Sequence, residues 1–145
     1  MMTTTATIDA MPLADIVSEM HVLHDTATLA HAAANRYAKR CRRCATRHDA
    51  RDYLAGIDDQ CRTLRTVERA VESLRLAMQY RPHAETAYYD ATTTTERSAR
   101  SAAYGQYQHA AELAWRVLAV CHRVYALRCT AEATLITRWP WREVQ

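Results

Sequence analysis

Phenylalanine is missing from the 145 residues, lysine occurs once, glycine twice and proline three times. With so few glycines and prolines there are few places where a helix must stop, and Ala is the dominant small residue, so helix is the default state and a β-sheet is not expected. No stretch approaches the eighteen or more consecutive apolar residues of a membrane span. The first thirty residues hold Asp9 and Asp15, no basic leader and no continuous apolar core, which argues against a signal peptide. Without an export signal, Cys41, Cys44, Cys61, Cys121 and Cys129 read as reduced thiols rather than a disulfide framework, which points to an intracellular protein, cytoplasmic or nuclear.

The length suits one domain with a real core. Asp9 and Pro12 are suited to a helix N-terminus, and beyond them Ile16, Met20, Leu23, Ala27, Ala30, Ala34, Tyr37, Cys41, Cys44 and His48 recur with 4-3 spacing, the seam of a coiled coil. No Gly or Pro interrupts residues 13–55, so one helix over about 12–55 is expected, roughly 65 Å long at 1.5 Å per residue. Its weak point is Asp25-Thr26-Ala27-Thr28, whose side-chain oxygens compete for the backbone. Gly56 is expected to end it in a left-handed conformation and Asp58 to cap a second helix over about 58–81. Cys61, Leu64, Val67, Val71, Leu74 and Met78 form the apolar stripe of that second helix, and Pro82 ends it.

Residues 82–95 read as a linker closing on the capping box Thr93-Thr94-Thr95-Glu96. A third helix over about 96–139 follows, with the seam Ala99, Ala103, Gln106, Ala110, Leu113, Val117, Val120, Val124, Leu127 and Ala131. Inside it Gly105 is a site for a kink or a close contact, and Trp139-Pro140-Trp141 stops it. The fold class is therefore all-α: an elongated antiparallel helical bundle or coiled coil of two long helices and one shorter helix, with a short C-terminal tail. A second helix of about 24 residues leaves part of two longer seams uncovered. Burial of Ile16 to Ala34 against a second copy, in a homodimer or higher oligomer, is the expected remedy.

The formal charge of +3 conceals a concentration. Arg36, Lys39, Arg40, Arg42, Arg43, Arg47 and Arg51 face only Asp49 within residues 36–51, a local charge of +6 that leaves −3 for the rest of the chain. Such a stripe suits an acidic protein partner or the phosphates of a nucleic acid. A hairpin turning at Gly56-Ile57 pairs positions summing to about 113, which would set Glu72 near Cys41 and Glu68 near Ala45 and neutralise part of it.

Three further patterns carry chemistry. Cys41, Cys44 and His48 stand at i, i+3 and i+7, along one face of a continuous helix, and are candidate ligands for Zn²⁺, with the fourth to come from His109, Cys61, Cys121 or Cys129. His21, His24 and His31 form a second stripe. Trp139 and Trp141, two large aromatics in a short tail, are candidates for docking a partner. No constellation specifies catalysis: the Arg–His pairs Arg43/His48 and Arg116/His122 occur about as often as chance allows, and the paired Glu-x-x-His motifs of a di-iron bundle are missing. The sequence thus reads as a non-enzymatic helical interaction protein, an adaptor, inhibitor or assembly factor, binding itself and an acidic or helical protein. A nucleic-acid-binding module and a small metal-binding bundle are the alternatives.

Overall fold

A computed structural model describes residues 11–79 and 93–140. Its element order is α1 (Leu13–Arg43), α2 (Arg47–Gln79) and α3 (Thr94–Arg138), packed against each other with no strand among the described residues. The all-α bundle expected from the periodicity is present. Asp9, most of the expected linker and Trp141 lie outside the described residues.

The turn between α1 and α2 is not where glycine suggested. It occupies Cys44-Ala45-Thr46, and Gly56 lies within α2 without a positive φ. Thr46 supplies the cap: its Oγ1 accepts the Asp49 amide at 3.1 Å, and its carbonyl accepts the Ala50 amide at 3.1 Å. Thr46-Arg47-His48-Asp49 has the spacing of a capping box, and a cap of this kind is worth about 1 kcal/mol. At the end of α1, Cys44 Sγ donates to the Cys41 carbonyl at 3.1 Å, and an Arg138 guanidinium N–H donates to the Arg42 carbonyl at 3.0 Å. Two carbonyls near the helix terminus thereby find donors without a glycine.

Moving the turn changes the register and the lengths. Cys41 Sγ lies 3.7 Å from the Ala50 carbonyl and Tyr37 packs on Gly56, so facing positions sum to about 91–93 rather than 113. At 31 and 33 residues, α1 and α2 match in length, so α2 is no longer short of α1, while α3 at 45 residues exceeds both. Ile16, Met20, Ala27, Ala30 and Ala34 are buried within the chain itself. The Asp25–Thr28 segment does not break α1.

Thr93 caps α3, its Oγ1 accepting the Glu96 amide at 3.1 Å and its carbonyl the Arg97 amide at 2.9 Å. This is the cap read from the sequence. Glu96 also pairs with Arg100 one turn on, at 2.7 Å.

Packing divides the described residues into two compact units, the first drawn from 1–24 and 69–117, the second from 25–68 and 118–145. The first buries Ile16 and Met20 from α1, Val71, Leu74, Ala77 and Met78 from α2, and Ala110, Leu113, Ala114 and Val117 from α3. Full burial of the Ile, Met, Val and Leu side chains among these contributes about 1.5–3 kcal/mol apiece. In the second unit α1 buries only Ala27, Ala30, Ala34, Ala38 and Cys41, against Ile57, Cys61, Leu64 and Val67 of α2 and Val120, Cys121 and Val124 of α3. Side chains this small let backbones approach closely. At Gly56 the Tyr37 ring packs on the backbone, since a Cβ built there would lie 2.8 Å from that ring. Gly105 differs: nothing lies within 4 Å of its added Cβ. The front of the α3 seam is not core either, Ala99 and Gln106 being exposed and Ala103 half-buried.

Candidate functional site

The break at Cys44–Thr46 divides the basic segment between two helices. Arg36, Lys39, Arg40, Arg42 and Arg43 lie on the last turns of α1, and Arg47 and Arg51 on the first turns of α2. All are exposed except Arg47, which is half-buried. None of the seven makes an ion pair or side-chain hydrogen bond within the described residues; only the Arg42 carbonyl is engaged, by Arg138. Arg138 thus adds an eighth cation, 96 residues away in sequence. Its guanidinium also covers the Trp139 ring at 4.3 Å, leaving that tryptophan half-buried.

Glu68 and Glu72 do not reach this segment, because the register that placed them there assumed a turn at Gly56. Glu72 pairs with Arg75 at 3.2 Å. Glu68 faces α3, where it adds to the effect of burial on two side chains: the Cys121 thiol is pushed up to about 11, and the Tyr125 phenol is raised further. Two acids close to the stripe in sequence are Asp49, whose amide Thr46 holds, and Asp52, which lies 3.5 Å from His48 Nε2.

The same break disperses the proposed metal ligands. Cys41 is fully buried, Cys44 is half-buried in the turn, and His48 stands on α2, 85% exposed, beside Asp52. Burial pushes the Cys41 thiol up, disfavouring the thiolate that zinc requires. Among the described residues no three His, Cys, Asp or Glu side chains are grouped to hold a metal ion. Of the second stripe, His21 meets His109 across α1 and α3, Nε2 to Nε2 at 3.1 Å.

Two features were not read from the sequence. Arg128 of α3 joins α2 through Asp58, Nε donating to Oδ1 at 2.9 Å, and also pairs with Glu132 one turn on. The hydrogen bond to Asp58 raises the guanidinium pKa further. The i, i+4 spacing of Arg128 and Glu132 was readable; the bond to Asp58, 70 residues away, was not. Beside this tie a cleft of about 400 Å³ opens between α2 and α3, lined by Arg47, Arg51, Leu54, Ala55, Asp58, Glu132, Leu135 and Ile136. Arg47 Nε is out of solvent with no hydrogen-bond partner. No described helix is long and apolar enough to cross a membrane.

Comparison with known proteins brought no match, whether to a family model, a curated sequence or a solved structure.

Proposed function

We propose that the chain is a non-enzymatic helical interaction protein whose basic end, Arg36 to Arg51, docks an acidic partner protein. The observation that carries this reading is that seven cations cluster about one turn with no ion pair among the described residues, whereas Arg62, Arg75, Arg100, Arg116 and Arg128 all have carboxylate partners. Unpaired charge of one sign steers an oppositely charged partner and raises its association rate. Duplex nucleic acid is the second reading, favoured by the guanidinium character of six of the seven cations, which suits bidentate contact with phosphate. Self-association, if it belongs to the function, would need a surface other than the Ile16 to Ala34 stripe.

Fluorescence anisotropy with labelled poly-glutamate and with duplex DNA of matched charge, from 50 to 300 mM salt, tests the reading. Binding to poly-glutamate at least as tight as to DNA is expected. Tighter binding to DNA, with a log–log salt slope of about 0.9 per phosphate contact, would transfer the function to nucleic acid. Failure of both probes to bind at 50 mM salt would overturn a polyanion-docking role altogether.

A further inference from the structure

The cleft between α2 and α3 gives the basic end a second chemistry. Its two acids are already engaged, Asp58 by Arg128 Nε at 2.9 Å and Glu132 by another nitrogen of the same guanidinium. Its two cations are not: neither Arg47 nor Arg51 has an ion pair within the described residues, and Arg47 Nε is buried without an acceptor. A buried donor left without a partner is a cost to the fold that the chain itself does not offset. The rest of the lining is aliphatic. Leu54 and Leu135 are half-buried, Ala55 is exposed, and Ile136 is 53% exposed, among the most exposed large apolar residues of the described chain.

Building on the acidic-partner reading, we propose that this cleft is the anchor subsite for the partner: it takes one large aliphatic or aromatic side chain on Leu54, Leu135 and Ile136, while a carboxylate beside that side chain pairs with Arg47 and Arg51. The occupant is a segment of another protein, acidic and amphipathic. A cavity of about 400 Å³ suits one or two side chains rather than a helix, whose diameter is about 10–12 Å. Nucleic acid fits it poorly. Bases bind by stacking on aromatic rings, and no ring lines the cleft. The division matches the usual anatomy of protein interfaces, in which a buried apolar anchor supplies affinity and surrounding charge supplies steering.

Two labelled twelve-residue peptides with the same six glutamates, one carrying a central Leu-Leu pair and the other Gly-Gly in its place, test this on the full chain by anisotropy. We expect the Leu-Leu peptide to bind at least tenfold more tightly, and that preference to fall below threefold in Ile136→Asn, a change at an exposed position that leaves the core intact. Leu54→Ala should reduce the preference in the same direction. Equal affinity for the two peptides in the wild-type chain would overturn the anchor site while leaving the basic end as the docking surface. A preference that survives both substitutions would also overturn it, because the apolar contact would then lie elsewhere. If neither peptide binds at 50 mM salt, both the anchor and the broader acidic-partner reading fail.

Discussion

Two parts of the molecule use the same side chain for opposite purposes. At Arg128 the guanidinium joins two helices, holding Asp58 of α2 and Glu132 of its own helix, and its charge is consumed by the fold. Around the Cys44–Thr46 turn, arginines of equal chemistry have no carboxylate partner among the described residues, and the helices beneath them are held by other means: the Thr46 cap, the Arg138 contact with the Arg42 carbonyl, and the packing of Tyr37 on Gly56. Where charge joins helices it is paired, and where caps and packing hold the helices the charge has no ion pair among the described residues.

The largest expected effect concerns the packing side of this contrast. Burial, with Glu68 adding, pushes the Cys121 thiol from an ordinary 9.0 to about 11. Because the folded value lies above the unfolded one, this stabilisation is complete below about pH 9 and is lost as pH rises through 11, a change on the order of 3 kcal/mol. Thermal melts from pH 8 to 11 should show an alkaline fall in Tm that is shallower in Cys121→Ala; an unchanged fall would assign it to other groups. Next comes Gly56→Ala. A Cβ 2.8 Å from the Tyr37 ring implies an overpacking cost of about 1–3 kcal/mol, against a helix-propensity gain of about 1 kcal/mol, so urea unfolding should reveal a net loss of up to about 2 kcal/mol. Gly105→Ala meets open space and should show the reverse, a gain of about 1 kcal/mol. Smallest is Arg128→Gln, whose partially exposed ion pairs are worth about 0–1 kcal/mol in the same urea measurement.

The Gly56 and Gly105 pair also shows how far the sequence could be read. Periodicity located the core well: all six stripe residues of α2 are buried, as are Ile16, Met20, Ala27, Ala30, Ala34 and Cys41 of α1. Capping chemistry located the start of α3 at Thr93. The same chemistry stands at Thr46-x-x-Asp49, and Gly56 lies inside α2, so a turn placed at the glycine displaces the helix lengths, the facing acids and the Cys41–Cys44–His48 alignment together. The seven cations were legible because charge clustering is local in sequence. Arg138 and the cleft were not, since they depend on contacts between residues 70–96 positions apart, for which periodicity supplies no register.

The most direct test of the contrast replaces Arg36, Arg40, Arg43 and Arg51 by Gln in one chain and reads melting and poly-glutamate affinity side by side. Exposed and without ion pairs among the described residues, these four should leave Tm within a few degrees of the parent while affinity falls at least tenfold and its salt slope flattens. A chain that melts well below the parent yet binds poly-glutamate as before would contradict the account, because the basic end would then serve the fold and not a partner.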